Sequence, residues 1–320
     1  MAHYLFTITD DWAGERLDKA LTRLLDAQHP GGFSRKRAKA LLDAGKVQRN
    51  GALERIASCE LAPGDRLAVQ IDDGEATTSS EDGRFELSPA SVLLEDGDLL
   101  VIAKPAGLPS QGTRDPGRDH AVEVARRYLL AKGKKKPYVA IHHRLDVGTS
   151  GVLALVTARR SNKGMARAFR EHLAQKTYVA IARALRPELE REVGESWEVK
   201  NHLGKVGDRR QGEVRAGGDF AHTSFVVRER WGSLHLIEAR PVTGRMHQIR
   251  AHLAEGGLPI VGDKDYGGVR RVGGERFTRV MLHAERLELP HPHSGDLVEV
   301  RCDWPADFDQ ARRAFTEEQG

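Results

Sequence analysis

Apolar positions along the chain change period several times, and each change marks an expected element. Leu17, Leu21, Leu24 and Leu25 share one face of a helix over 14–26, and Ala38, Leu41 and Leu42 share a face of a second helix over 35–44. Pro30, Gly31 and Gly32 separate the two; Ser34 is placed to cap the second helix and Gly45 to end it. Short strands are expected at 4–9, as a hairpin about Asn50 and Gly51 over 47–54, and at 63–71. Residues 72–88 offer few core candidates and much Ser, Thr, Gly and acid, the composition of a linker.

Beyond the linker, 92–103 reads as strand, turn, strand, and 104–113 leaves it as a loop rich in Pro and Gly. An amphipathic helix over 122–131 follows, then a continuous apolar run, Val152 to Val156, that suits a buried strand. A basic helix is expected around 162–175 and a strand at 176–182; the pattern fades from 186 to 218, where 200–215 reads as a basic hairpin or loop. Alternation returns at 221–228 and 233–241, and a helix over 246–255 would turn Met246, Ile249 and Leu253 inward. Strands outnumber helices and neighbour one another, so the fold class expected is α+β, with a mixed, mainly antiparallel sheet and flanking helices. The organisation expected is a small domain at 1–72, a linker at 73–88, a larger domain at 89–310 and a tail at 311–320.

Composition narrows the partners. A formal net charge of +4 favours an anionic partner, and the charge is clustered: Arg35, Lys36, Arg37 and Lys39 crowd the start of the second helix, Lys46 and Arg49 follow, and Asp43 alone opposes them. Cations at a helix start work against its dipole, a penalty that a phosphate partner removes, so these six residues are the candidate nucleic-acid contacts. Lys134, Lys135 and Lys136 are expected to be a solvated loop. Two cysteines are too few for a disulfide framework, and no apolar run approaches the ~20 residues of a membrane helix, so a reduced, cytoplasmic protein is expected.

The candidate chemistry centres on Asp146, which follows Arg144 and precedes Gly148, Thr149, Ser150 and Gly151 at a strand–loop junction. Glycine and hydroxyl residues also make ordinary polar turns, so this stretch alone leaves a structural turn and a presented carboxylate both open. Metal chemistry is rejected: His247 and His252 are spaced i, i+5, off a common helical face, and Asp263 and Asp265 start a calcium-loop pattern that lacks its terminal glutamate. Nucleotide hydrolysis and serine-hydrolase chemistry lack their Walker and G-x-S-x-G sequences. A carboxylate near an arginine is expected to stay ionised, which suits a nucleophile.

In order along the chain, these residues resemble the RluA-type family of pseudouridine synthases. His143, Arg144, Leu145 and Asp146, then Thr149, Ser150 and Gly151, are similar to the family's catalytic motif. Lys104, Pro105, Ala106, Gly107 and Leu108 resemble its first motif, Lys176, Thr177 and Tyr178 its tyrosine segment, and Thr243 through Arg250 the motif whose last arginine pairs with the catalytic aspartate. Ala103, Gly148 and the loop 108–113 depart from the commoner pattern. Gly14 to Asp18, Ser34, Arg35, Lys46, Val47, Asn50, Gly51 and Pro63 to Asp65 resemble the alpha-L RNA-binding motif.

The resemblance implies an enzyme that isomerises a specific uridine in structured RNA, ribosomal in preference to transfer RNA, as a monomer without cofactor or metal. It implies Asp146, Tyr178 and Arg250 as catalytic, with Arg144, Thr149, Arg245, His247 and Gln248 contacting substrate. Asp146 would act at the ribose anomeric carbon, through an adduct or a glycal, Tyr178 would stack on the base, and Arg144 would fill the place of the flipped nucleotide. A non-catalytic RNA-binding or ribosome-assembly protein is the alternative. A glycoside hydrolase needs a second carboxylate about 5–10 Å from the first, which the motifs do not offer.

Overall fold

The computed structural model describes residues 2–28, 35–71, 85–113, 118–208 and 210–318, and divides the chain into two compact units, Met1–Glu86 and Leu87–Gly320. Most of the expected linker falls in 72–84, and Ser34 in 29–34, both outside the described residues.

The first unit comprises β1 (Ala2–Thr7), α1 (Leu17–Gln28), α2 (Arg35–Asp43), β2 (Val47–Arg49), β3 (Ala52–Leu53) and β4 (Arg66–Ile71), with sheet order β1-β4-β2-β3. Leu17, Leu21, Leu25, Ala38, Leu42, Val47, Leu67 and Val69 form its core, as the helical and strand periods require. Asn50 and Gly51, at φ 53° and 82°, take the left-handed angles of a tight hairpin turn.

The second unit runs β5 (Val92–Glu95), β6 (Leu99–Lys104), α3 (Ala121–Ala131), β7 (Ala140–Ile141), β8 (Ser150–Val156), α4 (Asn162–Arg170), β9 (Gln175–Arg183), β10 (Ser196–Lys205) and β11 (Gln211–Glu213). It continues with β12 (Asp219–Trp231), β13 (Leu234–Pro241), α5 (Gln248–Glu255), β14 (Arg271–Val272), β15 (Glu275–Arg276), β16 (Leu282–Pro290), β17 (Leu297–Arg301) and α6 (Ala306–Glu318). The main sheet has the order β11-β10-β12-β13-β9-β16-β8-β6-β5, with β17 beside β16 and β7 beside β8. β16 and β8 are parallel and the neighbouring pairs are antiparallel, so the sheet is mixed and mainly antiparallel. β8 is buried along its whole length, as its uninterrupted apolar run requires.

Three expectations are corrected. Within the tail expected at 311–320, residues 311–318 belong to α6, anchored by buried Phe308, Ala311 and Ala314 at helical spacing. The basic helix expected to reach 175 stops at Arg170, where His172 adopts φ 57° and Leu173 N–H closes on Ala168 O, with no glycine to signal it. Met246, expected in the core, is 43% exposed, because His247 at φ 54° interrupts the helix and the phase is set only from Gln248, which buries Ile249 and Leu253.

Candidate active site

The site is built where β8, β16 and β9 lie side by side. Ala284 is opposite Gly151 on one side and Tyr178 on the other, which sets Tyr178 one strand away from the turn that carries Asp146. The approach is close: a Cβ on Gly151 would stand 2.1 Å from Ala284 O, and Gly151 itself has φ 114°. Glycine is required there for both reasons.

Asp146 is held through its backbone. Thr149 N–H donates to Asp146 O (3.0 Å), closing the turn. On the other side, the loop after β6 grips both neighbours: Gly107 N–H donates to Val147 O (2.6 Å), while Ser110 Oγ donates to Leu145 O (2.8 Å) and accepts from Leu145 N–H (2.9 Å). Lys104 stiffens this loop from within by donating to Pro105 O and Leu108 O, both at 2.9 Å. Its side chain is buried, and burial pulls its pKa down to about 7, although the charge of Asp146 acts to raise it. Gly107 can take its φ of 93° without strain.

The carboxylate is held more loosely than the backbone. Its Oδ2 lies 3.5 Å from Arg250 Nη1 and 3.8 Å from His247 Nε2. Arg250 is chiefly bound elsewhere: it makes a two-pronged pair with fully buried Asp263, at 2.7 Å through Nε and 2.7 Å through Nη2, and meets Asp265 at 3.1 Å. Burial works against the guanidinium charge, but the bond and charge of Asp263, with Asp146 and Asp265, outweigh it and raise the arginine's pKa. The expected Arg250–Asp146 pair is therefore one arm of a network with three carboxylates, and Asp263 supplies its strongest bonds.

The Tyr266 ring lies under Arg250, with the guanidinium carbon 4.8 Å from its centroid. The Tyr266 hydroxyl accepts from Gln211 N–H (2.7 Å) and sits 3.2 Å from His247 Nδ1. In the tautomer with its N–H on Nε2, His247 accepts the Tyr266 hydroxyl proton at Nδ1 and turns a donor toward Asp146. Desolvation lowers the His247 pKa against the opposing charge of Asp146, keeping the ring neutral at neutral pH.

These groups open on a pocket of about 860 Å3, within the range of about 300–1,000 Å3 typical of small-molecule sites. Asp146, Tyr178, Arg250, Arg144, Thr149, Arg245, His247 and Gln248 all line it. Asp146 is the one carboxylate among the lining residues, against the cations Arg144, Arg170, Lys176, Arg245 and Arg250. Tyr178 is 8% exposed, and burial, followed by the charge of Asp146, raises its pKa, so its hydroxyl stays protonated. Gln248, expected to contact substrate, lines the pocket with its amide bonded to the protein. Its Oε1 accepts from Thr243 Oγ1 and Arg245 N–H, and its Nε2 donates to His222 O and Thr223 Oγ1, so its amide is fully committed within the protein.

His143 is likewise structural: its Nε2 accepts from Ala154 N–H, its ring stacks on Phe169 at 4.6 Å, and burial pushes its pKa down to about 3. Among the described residues no three His, Cys, Asp or Glu side chains gather as a metal site. Of the basic groups expected to bind RNA in the first unit, Arg35 pairs with Asp18 (3.2 Å) and Arg49 with Asp65 (2.5 Å). Lys39 is exposed, and the side chains of Lys36 and Arg37 lie outside the described residues. Five contributors escape the sequence reading as site parts: Ser110, Lys176, Asp263, Asp265 and Tyr266. Asp263 and Asp265 were visible only as a broken calcium-loop pattern.

The model of the family described as RNA pseudouridylate synthase matches residues 98–255. An uncharacterized RNA pseudouridine synthase of Synechocystis sp. is 31% identical over 311 residues, covering 95% of this chain and 90% of its own. The ribosomal large subunit pseudouridine synthase D of Haemophilus ducreyi is 29% identical over 315 residues, covering 94% of this chain and 91% of its own. Among solved structures, human RNA pseudouridylate synthase domain containing 4 superposes with a TM-score of 0.58 at 26% identity, covering 71% of this chain and 93% of that one.

Proposed function

From the premise that the chain belongs to the RluA-type family of RNA pseudouridine synthases, we propose that it isomerises a uridine of structured ribosomal RNA, with Asp146 as the reacting group. The observation that carries this reading is the posture of Asp146. Its backbone is clamped on both sides, its Oδ2 faces Arg250 and His247, and its side chain is 24% exposed at a pocket with no other carboxylate among its described lining residues. A fixed, partly exposed carboxylate with one oxygen engaged leaves Oδ1 to meet the ribose anomeric carbon.

In the proposed reaction the C1′–N1 bond breaks, the freed uracil turns, and C1′ bonds to C5. The proton of C5 is lost and N1 gains one, so the sum is an isomerisation that needs no cofactor. Tyr178 offers its ring to the uracil and stays protonated. Arg250 balances charge at Asp146, and exposed Arg144 takes the place vacated by the flipped nucleotide. Arg245 and Thr149 complete the substrate contacts.

The first unit is proposed to hold RNA in the manner of an alpha-L module, through Lys36, Arg37, Lys39 and Lys46, with Arg35 and Arg49 also serving as partners of its own carboxylates. Relatives that are ribosomal large subunit pseudouridine synthases favour ribosomal over transfer RNA as the substrate, and the protein is proposed to act as a cytoplasmic monomer. The test is pseudouridine mapping of total RNA from cells with and without the gene. Loss of a site in large-subunit ribosomal RNA, restored by the wild-type gene, is expected; loss confined to transfer RNA would redirect the substrate assignment.

A further inference from the structure

Among the described residues, Lys176 is a cation of the candidate site with no ion-pair partner. It stands two residues before Tyr178 on β9, so the two side chains leave the same face of the sheet and line the same pocket. Its ammonium donates to Thr243 O at 3.1 Å, and among the described residues no carboxylate stands within ion-pair reach of it. Of the other cations lining the pocket, Arg250 is engaged by Asp263 and Asp265, Arg245 by Phe220 O and Asp219, and Arg170 by Glu171, while Arg144 is exposed and assigned above to the space of the flipped nucleotide. Burial alone pulls the lysine's pKa down to about 8. The ammonium is half-buried and keeps two of its three donors for water or for a ligand.

Resting on the reading that the pocket receives a flipped uridine, we propose that Lys176 binds the phosphodiester adjoining that nucleotide, anchoring the backbone while Tyr178 meets the base. An anion suits the place because the pocket lining holds no carboxylate but Asp146. A lysine serves as a point charge that tolerates the small backbone shifts accompanying rotation of the uracil. Lys176 is thus a substrate-binding residue, and its contact with Thr243 O presets it in the loop that also carries Arg245.

The test pairs Lys176→Met and Lys176→Arg with RNA substrates in which the phosphate on the 5′ or the 3′ side of the target uridine is replaced by a neutral methylphosphonate. For wild type, one of the two neutral linkages should lower kcat/KM by roughly 10–100-fold, the worth of one charge-assisted hydrogen bond. Lys176→Met should lose the same factor on natural RNA and lose little more on the modified RNA, while Lys176→Arg recovers most of it. Wild type indifferent to both neutral linkages overturns the proposal whatever the variants do. So does Lys176→Met with losses that multiply at both linkages, as expected of a lysine that only braces the loop or meets a base carbonyl. Pseudouridine formation by wild type on natural RNA is measured in the same series, so failure of the enzymatic reading shows separately.

Discussion

Removing Asp263 probes the support of the site rather than its reacting group. Asp263 is fully buried and Arg250 is 6% exposed at the side chain, with two bonds of 2.7 Å between them. Asp263→Ala leaves a buried guanidinium over the Tyr266 ring, with Asp265 at 3.1 Å and Asp146 at 3.5 Å as its remaining carboxylate partners. Breaking one side of a buried pair costs about 3–5 kcal/mol. For a unit of this size each kcal/mol moves Tm by about 2–4 °C, so the larger unit should melt roughly 6–20 °C lower.

The double variant Arg250→Met with Asp263→Leu removes the unpaired charge as well, and should recover most of that loss because replacing both partners of a buried pair by apolar groups is often close to neutral. Activity should not follow stability, since the double variant lacks the cation beside Asp146. The assay joins calorimetry of the full chain to single-turnover pseudouridine formation. Asp263→Ala melting within about 2 °C of wild type, or an active double variant, would refute the reasoning.

Three further outcomes follow from named contacts. Ser110→Ala leaves Leu145 N–H and C=O without their partner in a buried place, at about 1–3 kcal/mol for an unsatisfied group; turnover at saturating RNA should fall with RNA affinity unchanged, whereas unaltered turnover would contradict the backbone clamp. Tyr266→Phe keeps the ring under Arg250 but removes the hydroxyl between Gln211 N–H and His247; a fall in turnover of about tenfold with little change in KM is expected, and an unchanged rate would show that the His247 tautomer is immaterial. In the first unit, the hydrogen bond from Arg49 leads the causes that hold the pKa of Asp65 down at about 2, against an ordinary 3.8. A depressed carboxylate stabilises above its unfolded pKa and loses that contribution as pH falls through the folded one. Asp65→Asn should therefore cost about 2 kcal/mol at pH 5–7, a gap that closes between about pH 4 and pH 2 in thermal melts; a gap independent of pH would contradict the assignment.

Periodic features of the fold were legible. The leucine stripe of α1, the buried run of β8 and the Asn50–Gly51 turn follow directly from residue order. Boundaries set by strained backbone were not: His172 and His247 turn left-handed without glycine, which ended α4 early and moved Met246 to the surface. The residues lining the pocket could be named because their motifs are contiguous. Their supports could not, since Ser110 reaches Leu145 across 35 positions and Asp263 reaches Arg250 across 13, with no period or composition to announce either pairing. The three-carboxylate network around Arg250 is likewise a property of packing.

The central claim is that the Asp146 carboxylate performs the chemistry while the rest of the chain binds and positions RNA. Asp146→Asn is nearly isosteric and leaves the backbone clamp intact, so purified variant and wild type can be compared on the same ribosomal RNA fragment, for RNA affinity and for pseudouridine formed at the mapped site. Asp146→Asn is expected to bind with wild-type affinity and to form no detectable pseudouridine. Pseudouridine formed at the wild-type rate by Asp146→Asn would contradict the central claim.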